Sequence, residues 1–599
     1  MLFLTATPFQ LGHAELLNVI DRFQGIDWKS LSGDDGVAQF ATQREALSNA
    51  LDEAQRAAVE LDWQWGKLRR SDLLETTDED LDQWWAAVIA QPTLQPERVQ
   101  QVVRAYQRTF DALRVAETCL RPWVLRHLRD RVLPMTNVPR RQRLPGVGIR
   151  TGTSSDTAGL PIADSALLPF LLASRAQAVV AHMAREQRDQ RVYRATFAEG
   201  LSSSYETFLE TRNHDADDID EAAVSAPNTQ DPRLTRYLDR LRESLPDEAA
   251  FAEHPKIAAV VQRVADLWEA GEKVVVFCHY RVTGRALVKH ISNALEQRLW
   301  GSASKRLGIT IDDAKERARQ WGDAFEPDRP LDRTIRTVVE ELLTPNTAIG
   351  AEERDRVADI VRRFVRTPLF LARYVDLTVE DRASVLDEAL LFGGTESLRG
   401  RLATFATFLA DLSNSERGKY LEALSRIHPG PQYEQPEDGE RHRGATQLLP
   451  NVRLASGAVR PEVRERLLLG FNTPFFPEVL VASSVMAEGV DLHLNCRHII
   501  HHDLDWNPSV LEQRTGRIDR INSKSEKLGR SIEVALPFVG GTQDEKMYRV
   551  VMDRERWFQI VMGEDFKTDE FATEVLAERV PLPPVVARNL SLRLDASGR

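Results

Sequence analysis

The chain has 599 residues, 42% hydrophobic and 28% charged, with a formal net charge of -12. That length calls for three or more domains and the composition is that of a globular protein. The acidic balance argues against a simple nucleic-acid coating protein, although local patches rather than the global sum decide binding. Three distant cysteines, Cys119, Cys278 and Cys496, give neither a disulfide framework nor a CxxC metal site, and fit a reducing, cytoplasmic setting. No run of roughly 20 apolar residues is present to span a membrane.

Residues 2–5 read as a short buried strand ending at Thr7-Pro8, and a helical pattern follows Gly12. Helix-forming sequence dominates from about 30 to 120, notably Gln43–Leu61 and Pro96–Leu120. Residues 121–143 hold seven arginines (121, 126, 129, 131, 140, 141 and 143) against the single acid Asp130, a patch suited to phosphate. Residues 144–162 are rich in Gly, Ser, Thr and Pro and read as a loop. Ser165–Arg191 is a long helix candidate, and 211–232 is polar and acidic.

The pattern changes at 255. Pro255 opens a helix that Gly271 closes, the usual places for these residues. Lys273–Phe277 is a β-branched run typical of a parallel strand covered on both faces, and Val282–Leu299 returns as a helix. This is a β/α unit. Charged helical sequence at 300–445 interrupts it. Strands resume at Val479–Ala482, His498–His501 and Ile532–Leu536.

The chemistry concentrates in Gln513-Arg514-Thr515-Gly516-Arg517-Ile518-Asp519-Arg520. On a helix, Gln513, Arg517 and Arg520 would share one face. Two guanidiniums beside an amide suit a triphosphate, because arginine offers permanent, bidentate donors. The plain alternative is a solvated helix face with an Arg–Asp pair. Upstream, Val481–Leu492 combines a strand, a turn of small residues, Gly489 and Asp491, which lets a phosphate approach the main chain.

In that order, "ASSVMAEGVDLH" and "HHDLDWNPSVLEQRTGRIDRI" resemble motifs V and VI of superfamily 2 helicases, nearest the HepA/RapA-like branch of the Swi/Snf family. "HPKIAAVVQRVADLWEAGEKVVVFCHYRVTGRAL" is similar to the leading helix and motif IV of the second RecA-like lobe. "LASGAVRPEVRERLLLGFN" resembles the segment before motif V. "LFLTATPFQLG" looks like motif III of the first lobe, and "LRPWVLRHLRDRVLP" like the return to that lobe after a helical protrusion. Together these segments span roughly 200 residues.

The resemblance implies an α/β fold: a RecA-like C-terminal lobe, a parallel sheet flanked by helices, with large helical insertions and a remnant of the first lobe. Residues 1–28 would be that remnant, 30–120 the protrusion, 121–150 the return, and 151–250 linker and helices. The second lobe would be 251–300 plus 445–560, split by a helical insertion at 300–445, with 561–599 a tail. Arg517 and Arg520 would be arginine fingers toward ATP, and Gln513, Gly489 and Asp491 would bind or sense the nucleotide. Ser483 would touch a nucleic-acid phosphate, as would Arg126, and Thr5 and Thr7 would couple hydrolysis to lobe closure. Double-stranded DNA is the implied partner.

The departure from the family is that no GxxxxGK[ST] loop and no Asp-Glu-x-His box occur. Gly66-Lys67 and Gly418-Lys419 lack the upstream glycine and are followed by Leu68 and Tyr420. ATP and Mg²⁺ would then be held mainly by a first lobe missing from this chain, carried in cis or by a separate polypeptide. The alternative is a non-catalytic nucleic-acid-binding or scaffold protein descended from such a motor. Adjacent strand residues face opposite ways, so His501-His502 predicts no metal site. Trp63, Trp65, Trp84 and Trp85 are expected in packing rather than base stacking, and Cys278 as inert packing.

Overall fold

The computed structural model describes residues 13–28, 35–73, 81–123, 132–133, 135–186, 196–210, 232–393, 396–426, 432–433, 447–448, 451–457, 459–483, 491–561 and 580–592. Its centre is one sheet of six strands: β1 (Arg141–Pro145), β2 (Lys273–Phe277), β5 (Val452–Ala455), β6 (Val479–Ala482), β7 (Cys496–His501) and β8 (Ile532–Leu536). The short strands β3 (Gln432–Tyr433) and β4 (Gln447–Leu448) pair antiparallel apart from it. The order is β1-β8-β7-β2-β6-β5, and every neighbouring pair is parallel.

The side-chain period of a strand divides the sheet between two cores. Val274, Val276, Val479 and Val481 face one core, Val275, Phe277, Leu480 and Ala482 the other. This double burial explains why β2 reads as an unbroken apolar run. Two long helices, α1 (Gly36–Trp65) and α2 (Glu97–Leu120), form the spine of an N-terminal module. Next come α3 (Pro255–Glu269) and α4 (Arg281–Leu307), which cover the first face, and α5 (Pro461–Phe471), α6 (Pro508–Gly516) and α7 (Gln543–Val561) on the second. After α3, Gly271 has φ +80°, a left-handed conformation that favours glycine.

Residues 311–425 form seven helices whose core is continuous with the first face of the sheet. Arg373 of this insertion stacks 4.2 Å over Trp268 and pairs with Glu478 at 3.2 Å, and Glu478 also accepts the Trp268 indole N–H at 2.7 Å. The insertion is therefore bolted to the lobe rather than tethered to it.

Two segments differ from the sequence expectation. Arg141–Pro145, assigned from sequence to the return to the first lobe and partly to a loop, is the edge strand of this sheet, in register with Ile532–Leu536. Backbone pairing with β8 places it there, and its polar residues hide the strand from a hydropathy reading. The second is the tail. The α1 seam (Leu47, Leu51, Ala54, Ala58, Leu61, Trp65) meets an α2 seam (Val99, Val102, Tyr106, Thr109, Leu113, Ala116, Leu120) with alternating three- and four-residue spacing. Val580, Leu582, Val586, Ala587, Leu590 and Leu592 complete that core, and Trp65 Nε1 donates to the Val580 carbonyl at 2.9 Å.

Candidate nucleotide and nucleic-acid site

The candidate residues divide between the two ends of the sheet: Ser483 follows the carboxyl end of β6, whereas Asp491, Arg517 and Arg520 lie toward the amino ends, where Asn472 holds the lead-in to β7 and Lys524 pairs with Glu272 just before β2. β7 ends at His501, and a turn through Asp503 leads to α6. Asn507 caps that helix, its Oδ1 accepting the Ser509 N–H at 2.9 Å, with Pro508 in the first turn. The helix stops at Gly516. Arg517 is its C-cap residue, and Arg520 lies in the turn that follows. The expectation that Gln513, Arg517 and Arg520 lie on one helix face is thus corrected: only Gln513 is helical, and a loop carries both arginines. All three are partly exposed.

That loop is laced to the segment containing Asp491. The Leu492 N–H donates to the Arg517 carbonyl at 2.9 Å, and the Lys524 N–H to the His493 carbonyl at 2.9 Å. Arg520 Nη2 lies 2.8 Å from Asp491 Oδ1, with side-chain exposures of 41% and 50%. Asn472, at the end of α5, holds the same segment. Its Nδ2 donates to the Asp491 carbonyl, and its Oδ1 accepts the Leu494 N–H at 3.3 Å.

Arg514, which sequence reasoning did not single out, anchors α6 from beneath. It is 0% exposed, its guanidinium lies 5.5 Å over the Phe277 ring, and its Nη1 donates to the Asp503 carbonyl at 3.3 Å. The octet's one inward-pointing arginine is a structural pin, a distinction that needs the helix phase relative to the sheet. Asp503 Oδ2 accepts the His279 N–H at 2.9 Å and so joins the ends of β7 and β2. Burial pushes the Asp503 carboxyl up, but His502, Lys256 and that N–H outweigh it and leave it below the usual value.

His501 and His502 take different partners, Thr515 Oγ1 at 3.2 Å and the Ser203 carbonyl at 2.9 Å. Burial lowers His502 to about 4, and no group of His, Cys, Asp and Glu suited to a metal occurs among the described residues. Ser483 ends β6 at 1% exposure, its N–H donating to the Ala455 carbonyl at 3.0 Å. The Ser483 Oγ and the Arg520 Nε are shielded with no hydrogen-bond partner among the described residues. The half-exposed Arg520 guanidinium is the donor here that suits an oxyanion ligand. Arginine and glutamine side chains supply no ligand suited to Mg²⁺, which prefers carboxylate oxygens.

Thr5, Thr7, Arg126 and Gly489 lie outside the described residues. Of the arginine patch, Arg140, Arg141 and Arg143 are engaged by Glu526, Asp519, Glu512 and Glu555 of the lobe itself. Their expected use as phosphate contacts is corrected accordingly. Trp65, Trp84 and Trp85 are core residues, whereas Trp63 is 58% exposed beneath the Lys67 ammonium. Cys278 is buried.

Residues 445–522 match the family model described as the Helicase conserved C-terminal domain. The fold is accordingly an α/β, RecA-like helicase C-terminal lobe, with the matched segment supplying β5, β6, β7 and α6. Over 98 residues, 16% of the chain, it is 32% identical to the uncharacterized ATP-dependent helicase YqhH of Bacillus subtilis (strain 168), of which that stretch covers 16%. It is 36% identical over 72 residues (12% of the chain, 7% of the relative) to the RNA polymerase-associated protein RapA of Vibrio vulnificus (strain YJ016). It is also 30% identical over 130 residues (21% of the chain, 13% of the relative) to the putative ATP-dependent helicase/translocase YwqA of Bacillus subtilis (strain 168). The matches thus cover well under two thirds of these relatives, and they support a superfamily 2 helicase at the level of the family. No helix among the described residues is long and apolar enough to cross a membrane.

Proposed function

We propose that this chain is the C-terminal part of an ATP-dependent DNA translocase of the Swi/Snf type, HepA/RapA-like branch. In this reading Arg517 and Arg520 are arginine fingers that reach ATP and Mg²⁺ held on a RecA-like first lobe. That lobe carries the phosphate-cradling loop absent from residues 1–599, in cis or on a separate polypeptide. Gln513 contacts the nucleotide. Gly489 and Asp491 pass its state to Ser483, which meets a phosphate of double-stranded DNA. Thr5, Thr7 and Arg126 belong to the first-lobe side of the same machine.

The observation that carries this reading is the lacing of the Asp491–His493 segment to the Arg517–Lys524 loop. It puts the two phosphate-directed motifs in direct mechanical contact. Arg520 rests on Asp491 in a half-exposed pair, worth about 0–1 kcal/mol. Exchanging that carboxylate for a triphosphate costs little. Once there, a finger neutralises charge that develops as the γ-phosphoryl group leaves, a contribution of about 10³–10⁵ in rate.

The test is ATP hydrolysis with and without duplex DNA. It compares the chain alone, the chain with the polypeptide encoded immediately upstream, and that mixture carrying Arg520→Ala. DNA-stimulated turnover in the mixture, lost by about 10³-fold in the variant, is the expected result. DNA binding without turnover in any combination would replace this reading with a non-catalytic scaffold.

A further inference from the structure

We infer that Arg141, on the edge strand β1, is the positioning residue of the finger loop, tying α6 and the loop after it into one rigid unit. The role given to the loop rests on the function proposed above; the tie itself does not. One guanidinium makes both contacts. Its Nη1 and Nη2 fork onto the Glu512 carboxylate at 2.7 and 2.9 Å, and its Nε donates to Asp519 Oδ2 at 2.6 Å. Glu512 lies on α6 beside Gln513, and Asp519 lies in the loop between Arg517 and Arg520.

The Asp519 side chain is only 3% exposed. A shielded carboxylate needs a cation, and this one takes its hydrogen-bonded partner from a strand 378 residues away, with the Arg140 guanidinium a second, looser neighbour at 3.7 Å. Burial works against the Arg141 charge, but Glu512 and Asp519 outweigh it and hold the guanidinium above its ordinary value. The neighbouring Arg140 secures the far side of the loop. Its Nη1 is 2.7 Å from Glu526 Oε1, and Glu526 Oε2 accepts the Asn522 N–H at 2.9 Å.

The loop needs such help. Beyond Gly516 it has no regular structure, and Asn522 sits at φ +61°. A finger must hold its geometry to about 0.5 Å, and a misplacement near 1 Å costs on the order of 10²-fold. A lysine at 141 cannot reproduce the fork onto one carboxylate together with the third bond to another.

The experiment measures hydrogen exchange of the whole chain, with ATP turnover of the mixture described above as a second readout. Amides 517–519 and 523 are hydrogen-bonded within the turn, so their protection reports its order. Arg141→Ala is expected to speed exchange at 517–523 by 10-fold or more while 273–277 keeps wild-type protection. In the mixture it lowers kcat about 10- to 100-fold with KM for ATP nearly unchanged, and Arg141→Lys does not restore it. Wild-type protection at 517–523 in Arg141→Ala overturns the inference. If that variant loses protection throughout the sheet, Asp519→Asn decides, since it removes the tie and leaves β1 intact. Unchanged exchange at 517–523 in Asp519→Asn overturns the inference as well. Absence of turnover in the wild-type mixture refutes the motor reading, while the exchange data still judge the tie.

Discussion

Replacing Lys256 with methionine removes the only ammonium within 4.0 Å of two buried carboxylates among the described residues. Lys256 Nζ lies 2.8 Å from Asp544 Oδ2 and 4.0 Å from Asp503 Oδ1, all three side chains being buried. Asp544 Oδ2 also accepts the Val539 N–H at 2.9 Å, and Asp503 joins β7 to β2. Burial already pushes the Asp544 carboxyl above its ordinary value, with Lys256 opposing it. Removing one partner of a buried pair costs about 3–5 kcal/mol, because the other is left uncompensated. Measured as hydrogen exchange of the β2 amides, that is about a 10²- to 10⁴-fold loss of protection at neutral pH. Without the ammonium, Asp544 binds its proton more tightly in the folded than in the unfolded state. The deficit therefore shrinks as pH falls and grows as pH rises through the raised folded value. Asp544→Asn in the same background keeps an acceptor for Val539 and should recover part of the loss. A deficit below about 1 kcal/mol, flat with pH, would show that solvent reaches these carboxylates and would refute the argument.

His254 and His502 are buried and neutral, lowered by burial to about 3 and about 4. Unfolded, both protonate near 6.5, so the stability they contribute is present above 6.5 and is lost as pH falls toward 4. For His502 the change approaches about 3 kcal/mol, and a thermal midpoint that does not drop between pH 7 and 5 would contradict it. Deleting residues 580–599 strips the helical module of six core side chains and of the acceptor for the Trp65 indole. Selective proteolysis within 36–120 and a red-shifted tryptophan emission are expected, with the sheet protected. Leu590→Ala alone should cost about 2–5 kcal/mol, since the side chain is fully buried in that core.

Several features were legible because their signals are local. The run at 273–277 is apolar throughout because both faces of β2 are covered, and Pro255 and Gly271 mark the ends of α3 with its cap residue. The single-face arrangement of Gln513, Arg517 and Arg520 failed because α6 stops at Gly516, a helix end that neighbouring propensities did not reveal. The arginine patch misled for a related reason. A row of guanidiniums looks alike whether it faces phosphate or carboxylates, and Glu512, Asp519 and Glu555 are more than 370 residues away.

The sequence by itself determined that this is an α/β chain with a parallel sheet and helical insertions, because strand and helix periods are written in consecutive residues. The tertiary structure alone decided that β1 forms the edge of the sheet, that 580–592 completes the N-terminal helical core, and that Arg141 reaches the loop carrying Arg517 and Arg520. Each of those is a pairing between residues hundreds of positions apart. Such pairings are selected by the whole packed chain rather than by any local pattern within it.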